Sequence, residues 1–136
     1  MIVHKIHVNN NVVRIGYVKN EDEIPQEYTL KSNELARPEL YDAMQNIFTT
    51  MANSENCFDA GCYGDIEDIT IKYNRENRVD NYVLSGTMYS DDGLVAAFKT
   101  GKIHVKCRTD LDIAVRSAVK EAELFIQGKR NRRHRN

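Results

Sequence analysis

The chain has 136 residues, which fits one domain that buries roughly two-thirds of its unfolded surface without disulfides. Hydrophobic residues make up 41% and charged residues 29%, as in an ordinary globular protein, and three cysteines are an odd number for a secreted disulfide framework. No apolar run approaches the roughly 18–20 residues that span a membrane, and the start MIVHKIHVNN resembles no export signal. We therefore expect a soluble cytoplasmic protein with no membrane partner.

The net charge of −1 conceals an uneven distribution of charge. The segment 129–136 contains no acid and five bases, namely Lys129, Arg130, Arg132, Arg133 and Arg135. Of the 19 bases in the chain, the remaining 14 stand against 20 acids in residues 1–128, a charge of −6. An acidic body argues against a large nucleic-acid interface, because phosphate binding needs a basic surface. Blocks of like charge are usually disordered, so we expect a flexible basic tail that adds only nonspecific affinity for nucleic acid.

Residues 2–19 are predicted to form a β-hairpin, because apolar and polar residues alternate with the period of a strand. The alternation assigns Ile2, His4, Ile6 and Val8 to one face and Val3, Lys5 and His7 to the other. His4 and His7 are three residues apart and should therefore diverge. The asparagines at 9–11 indicate a turn, and the alternation resumes at Val13. The acidic stretch EDEIP predicts a loop, and EYTLKS predicts a short extended segment.

The first helix is predicted over residues 38–53. Pro38 suits the first turn of a helix, and Glu39 and Asp42 favour the positive end of the helix dipole. The apolar residues at helical spacing are Leu40, Met44, Ile47, Phe48 and Met51. The stretch NSENCFDAGCYGD, residues 53–65, has neither helical nor strand period and predicts a long loop.

From Ile66 the period returns to two and predicts an antiparallel meander of three or four strands. The turn-forming stretches NRENR and SDDG separate these strands. One face carries Ile69, Ile71 and Tyr73 on one strand and Tyr82, Leu84, Gly86 and Met88 on the next, and the segments LVAAFK and KIHVKC follow.

A second helix is predicted to begin at Thr109, as its N-terminal cap, and to stop at Gly128. The apolar stripe of this helix consists of Leu111, Val115, Ala118, Ala122 and Phe125. The order of elements is β-β-(β)-α-β-β-β-(β)-α, and two helices on one face of an antiparallel sheet would bury both stripes. We predict a single α+β domain over residues 1–128, followed by the tail 129–136.

Candidate metal ligands and nucleophiles are few. Cys57, Cys62, His104 and Cys107 would make a four-ligand zinc site only if their geometry were tetrahedral. His104 and Cys107 are three apart in a predicted strand and should face opposite sides, which favours free thiols over a metal. No GxSxG, Walker, GxGxxG or HExxH motif occurs, and the sequence identifies no general base positioned to activate Cys57 or Cys62 as a nucleophile. We predict neither a metal, a cofactor nor an enzymatic activity.

Basic residues on the second helix suggest an anion site. Arg116 and Lys120 are four apart and share a face away from the apolar stripe, and Arg108 lies one or two turns earlier. Two or three cations on one ridge would clamp a phosphate, since the guanidinium binds it in bidentate fashion. The alternative is a solvated surface in which Glu121 and Glu123 neutralise these charges.

The seven tyrosines and four phenylalanines offer rings for base stacking. Most of them must belong to the core. Tyr89, whose parity opposes that of Tyr82 and Leu84, and Phe98, near the SDDG turn, are the candidates for stacking on a ligand.

The α-β-β-β-α run from Pro38 to Gly128 resembles the double-stranded-RNA-binding domain in the order of its elements. That family places a lysine cluster at the start of its last helix. This chain has TDLDIAVR there, with Asp110 and Asp112, which would repel RNA phosphates. The resemblance extends to the topology and not to RNA binding.

A second resemblance is to small bacteriophage early proteins, through the helix ARPELYDAMQNI, the following β-meander and a last helix ending EAELFIQGKR. Within that group, the two-stranded start, two helices and intervening sheet are similar to the Thoeris anti-defence sponges. Those oligomeric proteins sequester cyclic ADP-ribose-type or cyclic oligonucleotide immune signals without cleaving them. The resemblance implies a homo-oligomer in which Arg116 and Lys120 grip ligand phosphates, while Tyr89 or Phe98 stacks on adenine.

Three functions from different classes are compatible with these patterns. The leading prediction is a non-enzymatic phage counter-defence protein of the host cytoplasm that sequesters a small cyclic nucleotide signal. One alternative is a protein-binding inhibitor of a host defence factor, similar in role to an anti-CRISPR protein. The other is a nucleic-acid-binding regulator that uses the basic tail 129–136.

Overall fold

The computed structural model describes residues 1–9, 12–19, 26–53, 63–105 and 109–130. The elements in chain order are β1 (Ile2–Val8), β2 (Val13–Val18), β3 (Glu27–Ser32), α1 (Pro38–Ala52), β4 (Tyr63–Tyr73), β5 (Val79–Tyr89), β6 (Val95–Lys99), β7 (Ile103–His104) and α2 (Thr109–Ile126). The α+β class and the predicted order of elements are confirmed. Within these ranges, no helix is long and apolar enough to cross a membrane.

The seven strands form one antiparallel sheet made of two meanders. The first meander is β1–β2–β3 and the second is β4–β5–β6, and β1 pairs with β4 to join them. The spatial order is therefore β3-β2-β1-β4-β5-β6, and β7 pairs with the start of β5 beyond the end of β6. β3 and β6 are the two edge strands of the described sheet.

Both helices pack against one face of this sheet, where α1 contacts β4 and α2 contacts β1 and α1. The predicted stripes are buried, with Leu40, Met44, Ile47, Phe48 and Met51 on α1 and Leu111, Val115, Ala118, Ala122 and Phe125 on α2. The sheet covers them with a row of apolar side chains that includes Ile6, Ile15, Ile69, Tyr82 and Leu84. Each buried large apolar side chain contributes about 1.5–3 kcal/mol, so this single core is the main source of stability.

A β-bulge in β1 changes the faces of its first residues. The pairing with β2 shifts between Val3 and Lys5, and Val3 joins Ile6 and Val8 in the core with none of its surface exposed. The prediction that placed Val3 on the face opposite Ile6 and Val8 is wrong, because a bulge inserts one extra residue and reverses the alternation.

The same bulge brings His4 and His7 to one face of the sheet. His4 lies over Gly16, where a Cβ atom would come within 2.9 Å of the imidazole ring. His7 places Nδ1 2.8 Å from a carboxylate oxygen of Asp68 on the adjacent strand. The predicted divergence of the two histidines is therefore wrong.

Two predicted boundaries in the second half of the chain also differ. The predicted loop 53–65 is shorter, because β4 already begins at Tyr63 and pairs there with Tyr89 of β5. The predicted strand KIHVKC contracts to β7, which ends at His104. The parity argument against a zinc site therefore does not apply, and the three cysteines lie outside the described residues.

The ordered fold extends two residues past the predicted domain end. Gly128 has a φ of 94°, as expected of a helix-terminating glycine. Arg130 then forms an isolated β-bridge with Ala36 and an ion pair with Glu34. The fold therefore includes Arg130, while residues 131–136 lie outside the described part of the chain.

Candidate functional site

The second helix and the second meander enclose a cleft of about 830 Å³ on the helix-bearing side of the molecule. We call it the arginine cleft, and its lining consists of Asn74, Glu76, Arg78, Val79, Asp80, His104, Val105 and Arg116. The side chains of Arg78, His104 and Arg116, from a turn, a strand and a helix, thus surround one space together with the carboxylates of Glu76 and Asp80.

The turn between β4 and β5 supplies one wall of the arginine cleft. The side-chain Oδ1 of Asn74 accepts hydrogen bonds from the backbone N–H groups of Glu76, at 2.9 Å, and Arg78, at 3.1 Å. Asn77 takes the left-handed conformation with a φ of 61°, which asparagine tolerates better than most residues. These hydrogen bonds to the Asn74 side chain fix the backbone of the turn, and they thereby position Arg78 beside the cleft.

The opposite walls come from β7 and α2. β7 pairs with β5 so that His104 lies opposite Asn81, next to the first residues of β5. Arg116 is exposed on the second turn of α2, because the neighbouring positions Ala114 and Val115 carry the buried stripe. The cleft is therefore a consequence of tertiary pairing and not of one contiguous motif.

A smaller apolar pocket of about 70 Å³ adjoins the arginine cleft and shares Val79, Val105 and Arg116 with it. Tyr82, fully buried, forms its floor and donates a hydrogen bond to the buried Asp112 carboxylate at 2.7 Å. Asp112 is therefore hydrogen-bonded within the core, and its carboxylate also lines this smaller pocket together with Arg116.

The charged side chains that line the arginine cleft differ in the ion pairs and hydrogen bonds that they form. Arg78 is 4.0 Å from Glu76, but both side chains are largely exposed, so this ion pair is worth little. Asp80 accepts a hydrogen bond from the side chain of Asn81 at 2.9 Å. Within the described parts of the chain, Arg116 has no ion pair. Its guanidinium is thus the cation most available for an anionic ligand.

Lys120 and Arg108, predicted to act with Arg116, have different places. Lys120 is exposed one turn along α2 and does not line the arginine cleft. Arg108 lies outside the described residues. Of the predicted basic ridge, Arg116 alone is seen at the cleft.

Tyr89 lines a different cavity, a groove of about 530 Å³ between α1 and the start of β4. We call it the acidic groove, because Asp42, Asp65 and Glu67 contribute three carboxylates to its lining. The Tyr89 hydroxyl donates a hydrogen bond to Asp65 at 3.3 Å, and desolvation together with this carboxylate raises the pKa of Tyr89. Such surroundings disfavour a phosphate beside this ring.

The two cavities lie near opposite ends of β5. Val79 lines the arginine cleft and Tyr89 lines the acidic groove, ten residues apart on one strand. At about 3.3 Å per residue this separation is roughly 30 Å. Tyr89 and Arg116 are therefore not brought together within one copy of the chain.

Phe98, the other predicted stacking residue, lies on the helix-bearing face of the sheet. Its ring centroid is 6.0 Å from that of Phe48 on α1, with the planes inclined by 60°. The side chain is partly buried against the core, far along β5 and β6 from the arginine cleft.

Among the residues that the structure describes, no group of three or more His, Cys, Asp or Glu side chains is arranged to hold a metal ion. The proposed zinc ligands Cys57, Cys62 and Cys107 fall outside those residues, and His104 instead lines the arginine cleft.

Arg78 and His104 are the cleft residues that the sequence did not single out for anion binding. Arg78 is part of a turn, where a base is ordinarily solvated, and His104 was considered only as a metal ligand. A sequence signal for their proximity to Arg116 would require knowing that β7 pairs with the start of β5.

No family model, curated protein or solved structure matches the chain. The function is therefore inferred from the cleft itself.

Proposed function

We propose that the protein is a non-enzymatic binding protein that sequesters a small anionic nucleotide in the arginine cleft. The observation that carries this proposal is the convergence of Arg78, His104 and Arg116 on one cavity of about 830 Å³. This volume lies within the roughly 300–1,000 Å³ typical of small-molecule sites.

The chemistry of the lining favours a phosphorylated ligand with an apolar or aromatic part. The two guanidinium groups present planar, permanently charged donors that match phosphate oxygens. The adjoining pocket, lined by Val79, Val105 and Val119, accepts the edge of a base or ribose. Two guanidinium groups at one place would let a body of charge −6 bind an anion without a broad basic surface, once the ligand competes with the Glu76 and Asp80 carboxylates of the same lining.

We further propose that the ligand is a cyclic ADP-ribose isomer or a cyclic oligonucleotide, and that the protein acts against a host defence signal in the cytoplasm of an infected cell. Support for this setting is the resemblance in the order of elements to phage anti-defence sponges. In this proposal Arg116 of α2 and Arg78 of the β4–β5 turn are the two cations that bind the ligand phosphates, whereas Lys120, which the resemblance implied, does not line the cleft.

Isothermal titration calorimetry with a panel of cyclic ADP-ribose isomers and cyclic di- and trinucleotides tests the proposal. We expect micromolar or tighter binding of at least one member, and recovery of that ligand unchanged by mass spectrometry after prolonged incubation. Absence of heat with every member, or conversion of the ligand to a product, would contradict sequestration.

The Arg78→Ala variant tests whether the β4–β5 turn takes part. Because Arg78 is held by backbone hydrogen bonds of the turn and not by its own side chain, the substitution should leave folding intact. We expect weaker binding of the ligand found in the panel, and Arg75→Ala, which changes a neighbouring turn base outside the cleft lining, serves as the control.

A further inference from the structure

One edge of the sheet differs from the other in its exposed apolar surface. β6, with the sequence VAAFK, is an edge strand with a single charged residue, Lys99, at its end. Leu94 and Val95 at its start are 67% and 65% exposed. β3, the opposite edge, carries Glu27 and Lys31 along its length, which is how natural edge strands avoid pairing with other chains.

The exposed apolar side chains continue from the β6 edge across the sheet. Tyr63 of β4 pairs with Tyr89 of β5, and Tyr89 pairs with Val95 of β6, so these three side chains form one transverse row. All three are among the exposed large hydrophobic residues of the chain. These side chains extend the exposed apolar surface from the β6 edge onto the adjoining face of the sheet.

The hydrogen-bond pattern of the β5–β6 hairpin shows which backbone groups of β6 have no partner in the described part of the sheet. Ser90 N–H donates to Leu94 O at 3.0 Å, and Thr100 N–H donates to Leu84 O at 2.8 Å. Because hydrogen-bonded pairs alternate in an antiparallel ladder, Ala96 and Phe98 bond to β5, whereas the N–H and C=O groups of 95, 97 and 99 point to the free edge.

The geometry points to a second copy of this chain as the occupant of the β6 edge, paired antiparallel about a two-fold axis at Ala97. In this register Val95 lies opposite Lys99 of the second copy, and the outward groups of both strands form about six hydrogen bonds. The result is one sheet that continues through both copies, with the arginine clefts outside the interface.

Charge complementarity selects this partner and this register. Antiparallel pairing about Ala97 brings the acidic turn at Asp91 and Asp92 of each copy toward Lys99 and Lys102 of the other, twice by symmetry. In this register Ala97 meets its own counterpart, Ala96 lies opposite Phe98, and the Lys99 side chain opposite Val95 is exposed, so no uncompensated charge is buried.

Light scattering coupled to size-exclusion chromatography of the full chain tests the inference. We expect a dimer of twice 15.7 kDa for the natural sequence. Ala97→Lys places like charges directly opposite each other across the axis and should give a monomer, with unchanged circular dichroism because Ala97 is exposed. Thr29→Lys, the same change at the middle of the β3 edge, is the matched control and should leave the dimer intact.

The register is tested by exchanging charges. Lys102→Asp alone should weaken dimerisation, because it opposes the acidic turn of the second copy, and adding Asp92→Lys should restore it. The inference is overturned by a monomer at concentrations up to about 100 μM, well above the micromolar dissociation constant of a modest interface. It is equally overturned by a dimer that Thr29→Lys dissociates and Ala97→Lys does not.

Discussion

Arg130 joins the end of the chain to the helix layer through three contacts. Its guanidinium carbon lies 4.1 Å from the centroid of the buried Phe125 ring, one of its nitrogens donates to the Phe125 carbonyl at 3.3 Å, and another pairs with Glu34. The side chain is only 17% exposed, so these contacts are screened less than those of an ordinary surface base.

We predict that Arg130→Ala lowers the free energy of unfolding by about 1–2 kcal/mol, through the loss of a cation–π contact and of charge-assisted hydrogen bonds. Urea denaturation monitored by circular dichroism measures the change. Lys129→Ala, which removes the adjacent exposed base, is the control and should change stability by less than about 0.5 kcal/mol. Equal effects of the two substitutions would show that Arg130 acts only through its charge.

Because Tyr73 is partly buried, we predict that the free energy of unfolding falls at alkaline pH. Burial, reinforced by the charge of Glu123, raises the pKa of Tyr73 to about 12, and its hydroxyl donates to the Val3 carbonyl at 2.6 Å. The unfolded chain releases this proton near pH 10, whereas the folded chain retains it. The contribution is therefore fully present below about pH 10 and is lost as the pH rises toward 12.

We expect the free energy of unfolding to fall between about pH 10 and pH 11, and Tyr73→Phe to reduce that slope. Ultraviolet absorbance of tyrosinate in the folded protein checks the same point independently. The raised pKa is refuted if Tyr73 ionises at the same pH as the exposed tyrosines, so that Tyr73→Phe removes no component that titrates at higher pH.

At the level of elements, the helices were predictable and the irregular strands were not. The apolar stripes of α1 and α2 are long, regular and bounded by Pro38 and Gly128. Their helical period can therefore be recognised without knowing what the helices pack against. The bulge at Val3 depends on the pairing of β1 with β2, where Gly16 leaves room for the His4 ring. Such a bulge depends on the pairing of two strands, so it cannot be recognised from the alternation of apolar and polar residues in one strand.

The same reason limits the prediction of the candidate site. Arg116 was identifiable as an exposed base because it lies off the apolar stripe of its helix, but the same reasoning also selected Lys120, which does not line the cleft. Arg78 and His104 reach the arginine cleft through the β4–β5 turn and the short β7, whose pairing with β5 is a tertiary contact. Tyr89, predicted as a stacking residue from its parity, lines a different cavity.

The packing of α1 against β4 depends on Gly64. A Cβ at this position would lie 2.3 Å from the Thr87 carbonyl oxygen and 2.6 Å from the Phe48 ring, so that backbone and helix would both have to shift. We predict that Gly64→Ala lowers the free energy of unfolding by about 1–3 kcal/mol or more. Gly101→Ala, where a Cβ meets nothing within 4 Å, is the matched control. Equal losses of stability in the two variants, measured by thermal denaturation, would contradict this packing.

At the scale of the whole molecule, charged side chains are separated into distinct regions. The arginine cleft and the acidic groove lie near opposite ends of β5, and the basic tail adds positive charge beyond Gly128. One of the tail's five bases, Arg130, is already paired within the fold. The size of the arginine cleft suits a small anionic molecule. A nucleic-acid duplex would instead meet the rest of the surface, which is acidic.

The contrast between Arg116→Ala and Lys120→Ala tests anion binding at the arginine cleft most directly. Both substitutions remove one exposed cation from α2, but only Arg116 lines the cleft. For the ligand that gives heat with the natural protein, we predict that Arg116→Ala raises the dissociation constant roughly 10- to 100-fold, as expected for lost hydrogen bonds to a charged group. Lys120→Ala should change it by less than about threefold, as for a remote surface charge. Equal losses of affinity in the two variants, or a loss only with Lys120→Ala, would contradict a ligand held in this cleft.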